Sequence, residues 1–223
     1  MKRTPLALRS LPDYSRRDEL ANMISHIAGG ALGVIVLFAV IIISVNKRNG
    51  WALVSGSIYA FSLIALYTVS SVYHGLRPGT GKKVMQVIDH CTIFLLIAGT
   101  YTPILLTAVR PLHPFTAWSV FAAEWLLAAV GAVFTAIDHK LYGKFAMSCY
   151  IGMGWLVIAA LKPVCESIGL AAMLYLLFGG ISYTVGAVFY GVGSKTPSMH
   201  TVFHIFVVAG SIFHAAAIIM YVL

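Results

Sequence analysis

Residues 22–45 read NMISHIAGGALGVIVLFAVIIISV, twenty-four positions without one Asp, Glu, Lys or Arg. As a helix this stretch is about 36 Å long at 1.5 Å per residue, enough to cross a hydrocarbon core of roughly 30 Å. From Ile27 onward it is apolar all round, the pattern of a helix in lipid or in a deep core. Six more apolar runs follow, at 51–73, 86–109, 115–137, 145–161, 168–191 and 199–222, the fifth being the shortest. They are too long for strands, and their polar interruptions fall between runs rather than at every second residue. The ten-residue alternation of an outer-membrane barrel is absent. Gly29, Gly30, Gly33, Pro103, Gly179 and Gly180 lie inside runs, where transmembrane helices tolerate such residues and use small ones for close contact. The sequence predicts an all-α membrane protein, a seven-transmembrane-helix bundle.

The whole chain agrees with its first run. Of 223 residues 60% are hydrophobic and 10% charged, whereas a soluble domain carries about a quarter charged. A water-soluble globule, a disordered chain, a collagen and a small disulfide scaffold are excluded. Residues 1–18 are polar and basic and are read as a cytoplasmic N-terminal segment; 19–223 form a single seven-span domain, with no length left for a soluble one. The first apolar run is too long for a cleaved signal peptide and is read as a retained span. Cys91, Cys149 and Cys165 are odd in number and lack a C-x-x-C, so neither a disulfide framework nor a thiolate zinc site is expected.

The net charge of +8 is topogenic rather than a nucleic-acid signal, because no basic-aromatic groove accompanies it. One set of alternate loops holds Lys2, Arg3, Arg9, Arg16, Arg17, Arg77, Lys82, Lys83, Lys140, Lys144 and Lys195, eleven in all. The other holds four: Lys47, Arg48, Arg110 and Lys162. The richer side faces the cytoplasm, which puts the N-terminus inside and, with seven spans, the C-terminus outside.

Histidine carries the functional signal. His200 and His204 are four apart at the start of the last run, which sets two imidazoles on one helix face, as two ligands of one metal require. His74 ends the second run, and the topology brings it to the same cytoplasmic face, together with Asp89 at the start of the third. Three His ligands with one open position suit a catalytic zinc, and a carboxylate beside them can hold a water and take its proton. Ser70, one turn before His74, is a hydrogen-bond partner on the same helix face. Glu19, Asn22 and His26, with Ser25, form a polar stripe at the entry of the first span. The alternatives stay open at this level: His74 as an interfacial histidine, Asp89 as a helix-start acid, the stripe as capping. Glu124 and His214, inside runs four and seven, are read as buried interhelical hydrogen-bonding groups, and Asp138, His139 and Lys140 as a solvated loop cluster.

The stripe Glu19-x-x-Asn22-x-x-Ser25-His26, the run Ser70-Ser71-Val72-Tyr73-His74, Asp89 and His200-x-x-x-His204, in that order, resemble the hemolysin III family. This is the bacterial branch of the progestin and adiponectin receptor (PAQR) group. The resemblance covers the chain from about residue 17 onward. It implies a zinc ion held by His74, His200 and His204, with Ser70 and Asp89 beside it, in a multi-pass protein of the bacterial inner membrane. It also implies hydrolysis of a lipid amide or ester, with membrane lipid as the partner and Asp89 as the base. A sensor of membrane state built on a structural zinc fits the same sequence; a hemolysin-like pore or ion pathway is a third reading, and the strongly retained spans and the lack of a dominant amphipathic pore-lining stripe argue against it. The long N-terminal extension of the eukaryotic receptors is not matched, so no receptor partner is carried over.

Overall fold

A computed structural model describes residues 3–193, 196 and 198–223, so two of the charges counted above, Lys2 and Lys195, lie outside the described residues. Everything described is helix, turn or coil. Helix α1 spans Arg16–Asn46 and begins with a reciprocal cap: the Ser15 side chain accepts from the Asp18 amide and the Asp18 carboxylate accepts from the Ser15 amide. Helix α2 spans Gly50–Gly75 and is capped by the Asn49 side chain. Helix α3 spans Thr80–Pro103 and runs on as a wider turn over Ile104–Val109. Helix α4, Pro114–Asp138, opens on a proline, whose missing N–H costs nothing in a first turn. Helices α5, Gly143–Gly154, and α6, Leu161–Gly193, are joined by a tight turn, and α7 spans Ser198–Ala217.

By length and composition, six helical stretches among the described residues are able to cross a membrane. The expected fifth and sixth runs fall in one of these, Gly143–Gly191, of 49 residues. A straight helix of that length would be about 74 Å long, more than twice the bilayer core. It is not straight. Gly169 takes φ 79° and ψ 168°, a region open essentially to glycine alone. The Trp155 indole N–H donates to Thr184 Oγ1 at 3.1 Å, so the stretch doubles back on itself. The turn comes at Gly169 rather than between 162 and 167. Pro163 there stands in the first turn of a helix, where proline does not disrupt the hydrogen-bond ladder.

The core lies between α1, α2, α3, α6 and α7, and its largest fully buried side chains include Tyr59, Tyr67, Leu63 and Leu105. Helices approach closely where a side chain is missing: the Tyr67 ring fills the space over Gly29, and the His214 ring that over Gly179. Large apolar residues such as Ile35, Phe38 and Leu126 are exposed on the outer surface, as a lipid-facing helix requires and a water-facing one does not.

The loops at one end are not merely solvated. Arg9 is buried, donates to the Ile137 carbonyl at 2.7 Å and to His139 Nδ1 at 3.3 Å, and lies 3.7 Å from the Asp138 carboxylate. That carboxylate also accepts from the Thr4 amide. Asp138 and His139 are therefore buried, contrary to the expectation of a solvated cluster, because the N-terminal segment folds over them. Lys82, counted above as a loop charge, is buried too.

Candidate metal centre

His74 lies on the last turn of α2, and His200 and His204 lie on the first turns of α7; all three are buried. Each offers one ligand atom, and the three atoms lie within 4.8 Å of one another. His200 Nε2 and His204 Nε2 are 3.1 Å apart. Two nitrogens on one tetrahedral zinc, each at 2.0–2.1 Å, stand about 3.3 Å apart, so this pair is already at ligand spacing.

The far side of each ring is tied down where it has a partner. His74 Nδ1 donates to Glu19 Oε2 at 2.6 Å, and Lys82 Nζ holds the other oxygen of that carboxylate at 2.7 Å. In a neutral ring this pairing makes Nε2 the lone-pair atom, and Nε2 is buried with no hydrogen-bond partner among the described residues. An orphaned imidazole lone pair in a dry site is expensive and is what a metal would satisfy. His204 Nδ1 lies 3.3 Å from the Asn22 carbonyl and 3.4 Å from Ser25 Oγ. The Asn22 side-chain oxygen in turn accepts from Thr201 Oγ1 at 2.6 Å. The carboxylate behind His74 and the carbonyl behind His204 fix the tautomer that suits a metal. The donor set therefore fits zinc.

The stripe on α1 joins this centre directly. Glu19 orients His74, Asn22 and Ser25 back His204, and His26 stacks on the His204 ring with centroids 3.6 Å apart. Sequence reasoning placed the stripe beside the site but missed that Glu19 pairs directly with His74. It also missed Lys82 and Tyr14. The Tyr14 ring stacks on His200, centroids 5.1 Å apart, and burial raises the pKa of its hydroxyl. Nothing in the sequence marks Tyr14, since only the return of the N-terminal segment across this face brings it there.

Asp89 and Ser70 lie side by side, and the Asp89 carboxylate stands 3.9 Å from His90 Nδ1. Asp89 is outside the three-ligand group. Asp89, Ser70, His26, His200 and His204 line one cavity of about 430 Å³ that continues between α3, α5, α6 and α7 as far as Trp155 and His214. Its walls are mainly apolar, with Ile93, Leu96, Ile97, Met147, Phe203 and Val207 among them. His214 makes the interhelical hydrogen bond expected of it, Nε2 to the Leu176 carbonyl at 3.1 Å. Glu124 does not: it is fully buried, and neither oxygen has a partner among the described residues.

Residues 14–215 match the family described as Haemolysin-III related. The chain belongs to the hemolysin III family. It is similar to Hemolysin-3 of Bacillus cereus, 37% identical over 208 residues and 93% of each chain. It is 36% identical to a Hemolysin-3 homolog of Bacillus subtilis (strain 168), over 89% of this chain and 91% of that one. Among human proteins it is similar to the monocyte to macrophage differentiation factor, 28% identical over 77% of this chain and 71% of that one, which fits the PAQR group. The hemolysin III match takes in every residue of the centre, from Tyr14 to His204. The chain is accordingly a multi-pass membrane protein, and its apolar helices fit a bacterial cell membrane.

Proposed function

We propose that this hemolysin III protein is a zinc-dependent hydrolase of a membrane lipid, cleaving an amide or ester. The observation that carries the reading is the meeting of three groups at one point. A three-histidine ligand set, a carboxylate and a long apolar cavity adjoin one another. In this reading the chain crosses the membrane seven times, with the N-terminus inside and the C-terminus outside. The doubling back at Gly169 supports the odd count, as does the separation of the ends: Tyr14 packs on His200, while Lys47 Nζ donates to the Leu223 carbonyl at 2.8 Å beside the α1–α2 turn. The charge count supports the orientation.

His74, His200 and His204 would hold the zinc. When bound, zinc would supply Lewis acidity and lower the pKa of a water toward about 7. The chain's own groups do the rest. The apolar walls take an acyl chain and keep bulk water out. Asp89 accepts the proton of the attacking water, with the Ser70 hydroxyl beside its carboxylate. The water oxygen joins the carbonyl carbon, the C–N or C–O bond breaks, and Asp89 returns the proton to the departing nitrogen or oxygen. A second reading, a sensor in which zinc ties helices together, is favoured by one observation: His74 and its Glu19–Lys82 pair link α1, α2 and α3 and do not line the cavity.

Asp89→Asn separates the two. It keeps size and hydrogen bonding and removes the base. Lipid mass spectrometry of membranes bearing parent, Asp89→Asn and His200→Ala should show turnover by the parent alone, the Asn variant falling about 10²-fold or more while keeping its zinc. An Asp89→Asn protein with undiminished effect on the membrane would favour the sensor.

A further inference from the structure

The cavity has a second polar wall, away from the three histidines. Gln86 and His90 stand one turn apart on α3, and Thr135 and His139 one turn apart at the end of α4; all four line the cavity. The His90 and His139 rings lie 5.4 Å apart. Gln86, Thr135 and His139 are each more than nine-tenths buried. Gln86 Oε1, Thr135 Oγ1 and His139 Nε2 have no hydrogen-bond partner among the described residues.

The protonation of His139 follows from its neighbour. A guanidinium only donates, so the contact of Arg9 with Nδ1 makes that nitrogen the acceptor. Neutral His139 then carries its proton on Nε2, the unpartnered atom. The wall thus offers one N–H donor, one amide oxygen acceptor and one hydroxyl that does both. Three unpaired polar atoms in one buried wall are costly, and a ligand group able to pair with all three recovers that cost.

Charge narrows the ligand. Arg9 is paired with Asp138 and does not line the cavity; Lys140, the one Lys or Arg lining it among the described residues, is exposed and bonded to Ser10; and the Asp89 carboxylate lines the same cavity. The three unpaired atoms are themselves neutral, and an anion on them would meet Asp89. Groups that both donate and accept, close together and uncharged, are hydroxyls. We propose that Gln86, Thr135 and His139 form a recognition subsite for the hydroxyl groups of an uncharged lipid headgroup, with the acyl chain in the apolar part of the cavity. The proposal shares with the hydrolase reading only the premise that a lipid occupies the cavity.

The test is binding of 1-oleoylglycerol to the purified full-length protein in detergent, measured by native mass spectrometry. Methyl oleate, which lacks hydroxyls, and 1-oleoyl lysophosphatidate, which is anionic, serve as comparators. On the unaltered protein 1-oleoylglycerol should bind tighter than both. Thr135→Val and Gln86→Met should each weaken it about 3- to 10-fold, with zinc content unchanged and methyl oleate binding unmoved. Equal binding of methyl oleate, tighter binding of the lysophosphatidate, or unchanged affinity in both variants would overturn the proposal and leave the wall to ordered water. Binding through these side chains by a protein that cleaves no lipid would end the hydrolase reading and leave this one standing. Cleavage with unchanged binding in both variants would do the reverse.

Discussion

Replacing Glu19 by Gln removes a charge that two buried groups share. In the parent, one carboxylate oxygen accepts from His74 Nδ1 at 2.6 Å and the other from Lys82 Nζ at 2.7 Å. Glutamine retains one acceptor, so one of the two loses its partner. Loss of such a carboxylate behind a ligating histidine weakens metal binding about 10- to 100-fold, roughly 1.4–2.7 kcal/mol. A second cost falls on folding. Lys82 is 3% exposed, and its other partners among the described residues are the Leu76 carbonyl at 2.9 Å, the His74 carbonyl at 3.4 Å and the face of the Tyr73 ring, 5.1 Å away. A buried cation without its carboxylate destabilises the helix packing around it. The two costs separate in the double variant Glu19→Gln with Lys82→Met, which should regain thermal stability and keep the weakened zinc affinity. The assay is competition for zinc against a chelator of known affinity, with unfolding followed in the same detergent. A folded Glu19→Gln protein that holds zinc as tightly as the parent would refute the assignment of Glu19 as the partner of a ligand.

Two further outcomes follow from the cytoplasmic end. Burial, reinforced by the neighbouring charges of His90 and Arg9, pushes His139 from its usual 6.5 down to about 4. The neutral, Arg9-bound form therefore contributes its full stability above about pH 6.5 and loses it as pH falls toward 4, where the unfolded state takes up the proton first. Hydrogen exchange of residues 5–13, corrected for intrinsic rates, should rise across that window, and Arg9→Ala should show the faster exchange already at pH 7. Protection independent of pH in the parent would sink the point. For topology, a reporter active only outside the cytoplasm, fused after Leu223, should be active; cytoplasmic-type activity there would place the chain ends on one side.

Much of the fold was legible because bilayer physics acts on composition and length, which a sequence displays directly. Residues 22–45 need no partner to be read as a span. The break at Gly169 was not legible, because Lys162, Pro163 and Glu166 look like a loop, yet their stretch is helical and the backbone turns where glycine alone takes φ 79°. The three histidines could be read from spacing plus topology. Their supports could not, since Glu19 meets His74 across 55 residues and Ser25 meets His204 across 179. The general rule for intramembrane acids predicts an interhelical hydrogen bond for Glu124, and neither of its oxygens has a partner among the described residues. The Asp138–His139 turn looked solvated because its cover, the segment around Arg9, is polar and basic and carries no sign of docking.

The most direct test of the account is the metal content of the purified protein. About one zinc per chain is the result it requires, with occupancy falling strongly in His74→Ala, in His200→Ala and in His204→Ala, and staying at the parent level in His139→Ala. Folded histidine variants that all keep full zinc, or a parent that binds none when zinc is supplied, would contradict it.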